Sequence, residues 1–161
     1  MPFGKMPVLE VDGRKIPQSS AIARYLAKQF GYAGKTALDE AWVDALVDQY
    51  KDYLIEIRPA LAAYAGFSDD DKEKLTNEVA EPARDKFYSI IEKQLTTTGT
   101  GFLVGDSLTW ADLVIADHVE TIEGFWPGFL AAFPKVVEHR KKVQSTPKLK
   151  EWIEKRKKTN I

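Results

Sequence analysis

The chain has 161 residues, of which 44% are hydrophobic, and 23 basic residues nearly balance 24 acidic ones to leave a formal net charge of -1. This length suffices for one sizeable core, and the balanced charge excludes an overall field that would favour nucleic acid or an anionic membrane. The absence of cysteine excludes disulfides, thiolate metal sites and a protein thiol nucleophile. No leader pattern and no apolar run approaching about 18 residues is present, so we expect a cytoplasmic protein without membrane or nucleic-acid partners.

The first predicted element is a β-hairpin. A β-type apolar run over 8–11 leads into Asp12-Gly13, the strongest two-residue hairpin signal. The stretch 14–16 can return as the antiparallel partner, and Pro17 ends it. The sequence therefore predicts two short antiparallel strands.

A helix is predicted after the hairpin, with Ser19 or a neighbour as its cap. Apolar residues recur at helical spacing over 21–29, and Gly31 stops the helix. A two-stranded hairpin with one helix is marginally stable alone and leaves an open sheet edge. We therefore expect neighbouring strands that would precede Met1.

The rest of the chain is predicted to be helical, because its apolar residues recur at helical spacing. The predicted helices cover 38–64, 68–95, 110–123, 133–143 and 147–157, with a loop over 96–101. Pro59 is expected to kink or end the first of them, and Pro82 to bend the second. The predicted fold class is therefore α+β, mostly α.

Two residues at the start of the third of these helices form a capping motif. Thr109 is placed to cap the helix, and Asp112 reaches back from the third helical position. Both are interpreted as structural, and the loss of either is expected to cost about 1 kcal/mol or more.

Two charge clusters each leave two interpretations open. Asp44, Asp48 and Asp52 share one side of a helix, either as a solvated face or, at Asp52, as a ligand contact. The basic run 155–158 is interpreted as the charged end of the last helix and a frayed tail, with a nucleic-acid or targeting patch as the alternative.

These patterns resemble the cytosolic glutathione transferases, and in particular the sigma class, which includes haematopoietic prostaglandin D synthase and invertebrate enzymes. The resemblance rests on an X-Pro before the hairpin, on Gln-Ser at the helix start, and on 105–112, which is similar to the family's capping motif. It implies the C-terminal part of a thioredoxin-like domain, hairpin plus helix, over 1–31, a linker over 32–37 and an all-α domain over 38–161. The strand-helix-strand-helix half of the thioredoxin-like domain would precede Met1.

The resemblance also implies a glutathione site. Met6 would precede a cis Pro7 and pair its backbone with the cysteinyl part of glutathione, with Lys5 beside it. Gln18 and Ser19 would hold the γ-glutamyl carboxylate, because a helix start offers free N–H groups and partial positive charge to an anion. Taken singly, each has an ordinary alternative as a loop proline, surface amide, helix cap or solvated charge.

By the same resemblance, Asp52 would reach the glutathione of the partner subunit in a homodimer. No metal is expected, because Lys51 stands where the third aspartate of the sigma-class metal group would lie. No catalytic residue is assigned within the chain, since the thiolate-stabilising Tyr would lie upstream of Met1.

The resemblance implies a transferase that acts in detoxification. In its full-length form the protein would conjugate, or isomerise with, the thiolate of glutathione as co-substrate and a small hydrophobic electrophile. The alternative is a non-catalytic, truncated binding or structural protein of the same superfamily, which the absence of the hydroxyl donor favours.

Overall fold

The hairpin opens the computed structural model, which describes residues 1–157. Strands β1 (Val8–Val11) and β2 (Arg14–Pro17) pair antiparallel. Asp12 and Gly13 have φ values of 49° and 76°, the left-handed geometry of a two-residue turn whose twist matches that of the strands. The predicted hairpin is confirmed.

The other regular elements of the described residues are all helical, so the predicted α+β, mostly α class is confirmed. They are α1 (Ser19–Phe30), α2 (Ala37–Tyr64), α3 (Lys72–Leu75), a π-helical turn (Thr76–Ala80), α4 (Glu81–Thr98), α5 (Trp110–Phe125), α6 (Pro134–Gln144) and α7 (Pro147–Lys155). Lys158 of the basic run and the end of the predicted helical domain lie outside the described residues. Within 1–157, no helix combines the length and the apolar character needed to cross a membrane.

The loop predicted over 96–101 begins later than expected. Thr96, Thr97 and Thr98 belong to α4, and each hydroxyl donates to the carbonyl four residues earlier at 2.7–3.2 Å, which gives it a partner within the helix. Gly99, with φ 64°, ends the helix in the left-handed conformation that glycine adopts without steric cost. The stop signal is therefore Gly99 and not the threonine run, although threonine has low helix propensity.

The two prolines act differently. Pro59 was expected to kink or end α2, and it does not end it, because α2 continues to Tyr64. The buried residues Ile57 and Ala60 hold this segment in the core. Before Pro82 the chain adopts the π-helical turn. A proline has no N–H for the carbonyl four residues earlier, and a π-type turn is one way in which a helix absorbs that loss.

The core lies where α2, α4, α5 and α6 meet. At its centre the rings of Tyr53 and Phe87 stack with centroids 4.6 Å apart, and the ring of His118 meets Tyr53 edge-on at 5.4 Å. Burial lowers the pKa of His118 to about 4, because the charged form is poorly solvated there. His118 is therefore neutral at pH 7 and packs as an aromatic residue.

The capping motif joins α5 to its surroundings through Asp112, whose side chain is fully buried. One carboxylate oxygen accepts bonds from the N–H and hydroxyl of Thr109, each at 2.7 Å. The other accepts from the Leu103 N–H at 2.8 Å and lies 2.9 Å from Nε2 of His139. Because a carboxylate only accepts, Nε2 of His139 carries the proton. One side chain thus links the preceding loop, α5 and α6.

Candidate functional site

Strand pairing brings the two predicted ligand-binding segments together. Val8 pairs with Pro17 across the hairpin, and paired Cα atoms of antiparallel strands lie about 4.5–5.5 Å apart. Met6-Pro7 leads into the first of these positions and Gln18-Ser19 follows the second. The peptide bond between Met6 and Pro7 is cis, as the resemblance implied. Both segments therefore flank the same end of the hairpin.

The start of α1 is open for an anion. Gln18 is the cap residue, but its side chain makes no capping hydrogen bond, and the first turn of α1 contains no acidic residue. The leading N–H groups of a helix have no partner within the helix and carry partial positive charge. Gln18 and Ser19 are both exposed. This helix terminus can accept a carboxylate from solution.

Gln18 also has a strained backbone, with φ 74° and ψ 117°. A non-glycine residue held in such a region costs on the order of 1–3 kcal/mol, and such residues concentrate at ligand sites. Gln18, at the junction of β2 and α1, therefore has a backbone conformation that glycine would adopt more readily.

The other predicted ligand residues are accessible. Lys5 and Met6 are exposed immediately before β1, where the ammonium group of Lys5 adds positive charge at the same end of the hairpin. Asp52 is exposed on α2, and within residues 1–157 its carboxylate makes no hydrogen bond or ion pair to the start of α1.

The three aspartates of α2 have different surroundings. Asp48 pairs with Lys51 at 3.0 Å, whereas Asp44 pairs with Arg24 of α1 at 2.8 Å. Among the described residues, no group of three or more His, Asp or Glu side chains is gathered where it could hold a metal ion. The absence of a metal stays a prediction.

Two ion pairs between α1 and α2 were not predicted from the sequence. Arg24 binds Asp44, and Lys28 binds Glu40 at 2.8 Å. The sequence shows two basic residues four apart on α1 and two acidic residues four apart on α2, each pair with the spacing of one helix face. Pairing between the helices could not be inferred without their relative placement.

A third link ties the end of α1 to α5. The N–H of Trp110 donates to the carbonyl of Tyr32 at 2.9 Å, and the guanidinium of Arg24 lies over the Trp110 ring, 5.4 Å from its centroid. The hairpin unit is therefore attached to the helical domain through α1 rather than through its strands.

Replacing Gln18 is expected to have opposite effects on the stability of the fold and on ligand affinity. Gln18→Gly is expected to raise the free energy of unfolding by about 1 kcal/mol, because glycine tolerates positive φ. The same change removes the amide that the resemblance assigns to the γ-glutamyl carboxylate, and on that assignment it should weaken glutathione binding roughly tenfold. Urea unfolding and calorimetric titration of glutathione measure the two effects.

Gln18→Ala is the matched control for this prediction. It removes the same amide but keeps a Cβ, so it should weaken binding without stabilising the fold. Equal stability of the glycine and alanine variants would contradict the assignment of backbone strain to this position.

Together, the fold and the site define a class of protein in which a hairpin-plus-helix unit of thioredoxin-like type, with an open helix N-terminus, is joined to an all-α domain. Two family models match the chain and agree with this class. The glutathione S-transferase C-terminal domain matches residues 51–156, and the glutathione S-transferase N-terminal domain matches residues 1–28. The first of these covers more than half of the chain.

Individual relatives point the same way. The chain is 52% identical to Probable glutathione S-transferase 9 of Caenorhabditis elegans over 96% of its length and 75% of that protein. It is 48% identical to Glutathione S-transferase 1 of Ascaris suum over 98% of its length and 77% of the relative. The chain belongs to the glutathione S-transferase family, and its function is that of a glutathione transferase-type enzyme.

Solved structures resemble the chain over its whole length and over 78% of their own. A Nu-class glutathione S-transferase from Haemonchus contortus is 51% identical with a TM-score of 0.91. Monomeric Na-GST-3 from Necator americanus is 50% identical with a TM-score of 0.96. Rat hPGDS, complexed with a quinoline, is 33% identical with a TM-score of 0.83.

Proposed function

We propose that this protein binds reduced glutathione at the junction of the hairpin and α1 and transfers its thiolate to small apolar electrophiles, or isomerises them with it. The observation that carries this is the pairing of Val8 with Pro17, since it sets the Met6 backbone beside the open first turn of α1. Glutathione is an anionic tripeptide with an extended backbone. An exposed backbone segment beside a helix N-terminus complements both features.

Each predicted residue has a proposed part in this site. Gln18 and Ser19 hold the γ-glutamyl carboxylate at the start of α1, and the backbone of Met6 pairs with the cysteinyl unit. Lys5 attracts the second carboxylate of the tripeptide, because the two are oppositely charged in exposed surroundings. Pro7 fixes the direction in which the chain enters β1.

The chemistry requires a thiolate. A free thiol has a pKa of about 8.5, so transfer at neutral pH needs a group that stabilises the deprotonated sulfur. The proposed site in this chain supplies binding and orientation of the tripeptide. We assign no residue of the chain to the catalytic hydrogen bond with sulfur.

A homodimer would complete the site. Asp52 makes no bond to the α1 terminus of its own subunit, but an exposed carboxylate on α2 could meet the α-amino group of glutathione on a partner. Leu38 and Trp42 are also exposed four residues apart on α2, so they lie on one side of that helix, and an apolar pair there can form part of a subunit interface. The oligomeric state needs its own measurement, since Na-GST-3 is described as monomeric.

Calorimetric titration with reduced glutathione tests this proposal. We expect the chain to bind with a dissociation constant in the micromolar to millimolar range, and Asp52→Asn to weaken binding roughly tenfold by removing the charge attraction. Asp48→Asn is the matched control, one turn away and paired with Lys51, and it should leave affinity unchanged. A folded protein that does not bind glutathione would refute the proposal.

The finer assignments extend the same proposal. The higher identity to the Nu-class structure than to rat hPGDS favours a nematode-type class over the sigma-like class predicted from the sequence. We also propose a glutathione-binding unit over 1–31, a linker over 32–37 and a helical domain over 38–161. We further propose that the protein is cytoplasmic and that it functions without a metal ion, a nucleic-acid partner or a membrane.

A further inference from the structure

We infer that Arg24 is a positioning residue for glutathione, acting with Asp44 to fix the direction in which the first turn of α1 points. The inference rests on the proposed function and adds a residue that does not touch the ligand. We call Arg24 and Asp44 together the α1 clasp.

In the clasp, one N–H of Arg24 is shared between both carboxylate oxygens of Asp44. The Nε atom of Arg24 lies 2.8 Å from Oδ1 and 2.9 Å from Oδ2 of Asp44, and the two side chains are only 33% and 36% exposed. Charge-assisted hydrogen bonds that are partly shielded from water are stronger than exposed ion pairs. The Arg24 guanidinium also rests over the buried ring of Trp110 at 5.4 Å. One side chain therefore joins α1, α2 and α5.

The apolar packing of α1 is limited. Ala27 is its one fully buried residue, and the strands of the hairpin contribute half-buried or exposed residues. A short alanine side chain contributes little hydrophobic stabilisation. The direction of α1 therefore depends heavily on its polar attachments.

Arg24 lies close to the first turn of α1, where we propose that glutathione binds, so its loss can change the position of that turn. Arg24 is five residues after Ser19, which is about 7.5 Å along the axis of a helix. A small tilt of α1 about its anchored middle displaces the first-turn N–H groups, and displacements near 1 Å have large effects on binding and reaction geometry. The γ-glutamyl carboxylate is the part of glutathione that should sense this tilt.

The pair of Lys28 with Glu40 provides a matched control. It also joins α1 to α2, with a distance of 2.8 Å, but it lies one turn further from Ser19, and its side chains are 53% and 36% exposed. An exposed ion pair of this kind contributes little. Its loss should not change the direction of the α1 terminus.

The test is calorimetric titration of reduced glutathione into four proteins: wild type, Arg24→Gln, Lys28→Gln, and the exchanged pair Arg24→Asp with Asp44→Arg. We expect Arg24→Gln to raise the dissociation constant roughly five- to tenfold. Lys28→Gln should match wild type, and the exchanged pair should recover part of the loss. In a conjugation assay with an activated aryl chloride, Arg24→Gln should raise KM for glutathione and leave kcat and KM for the chloride unchanged.

Other outcomes overturn the inference in distinguishable ways. Wild-type affinity in Arg24→Gln would refute the clasp and leave the proposed function standing, whereas failure of folded wild type to bind glutathione would refute both. If the exchanged pair restores thermal stability but not affinity, the role of Arg24 is merely structural. Should Arg24→Gln fail to fold, Arg24→Lys decides, with an intermediate dissociation constant expected and a wild-type value contradicting the inference.

Discussion

Replacement of Asp112 by alanine is expected to lower the free energy of unfolding by about 4 kcal/mol. The carboxylate accepts from two groups of Thr109 and from Leu103, and it pairs with His139. Its removal leaves these donors buried without a partner, and each costs about 1–3 kcal/mol in part because water cannot reach them. Urea denaturation followed by circular dichroism measures the change.

Substitutions at Thr109 separate the contributions to this network. Thr109→Ser keeps the hydroxyl and should cost about 1 kcal/mol, the contribution of one buried methyl group, whereas Thr109→Ala also loses the hydroxyl bond to Asp112 and should cost about 2–3 kcal/mol. A loss of less than 1 kcal/mol on removing Asp112 would mean that the surrounding groups find other partners. In that case the structural interpretation of the motif would be wrong.

Acidification is expected to destabilise the fold through His118. Its pKa is about 4 in the folded protein and about 6.5 in an unfolded chain. Between these values the unfolded chain binds a proton that the folded protein excludes, so stability is fully present above pH 6.5 and falls as pH decreases toward 4. The lost stability amounts to about 3 kcal/mol.

His118→Leu isolates this contribution from the titration of surface carboxylates. Leucine has a similar volume and no ionisable group, so the variant should lie within about 1.5 kcal/mol of wild type at pH 7. Its stability should decline less steeply than that of wild type between pH 6.5 and 4. Parallel pH profiles for the two proteins, from denaturant unfolding at each pH, would show that His118 does not titrate in this way.

The elements predicted correctly are those that local chemistry determines. Asp12-Gly13 specifies a turn with two positive φ values, and no distant residue is needed to explain it. The apolar spacing of 38–64 likewise predicted a long helix, which the structure shows as Ala37–Tyr64. The residues that specify these segments are therefore neighbours in the sequence.

The missed features depend on residues that are distant along the chain. The bond between Asp112 and His139 spans 27 positions, and that between Arg24 and Asp44 spans 20. Nothing in the local pattern of Arg24 distinguishes it from a solvated surface residue. The same holds for His118, whose low pKa follows from burial among aromatic rings and not from its sequence neighbours.

The amino-acid sequence by itself determined the hairpin and the helical character of the remainder, because turns, caps and periodicity act over a few residues, and it indicated the two segments that we propose as the glutathione site. Only the tertiary structure decided that α1 is fastened to α2 and α5 through Arg24, that Asp112 is enclosed by four polar contacts, and that His118 is neutral. These outcomes required the helices to be packed, since burial and pairing across helices depend on where distant residues come to lie.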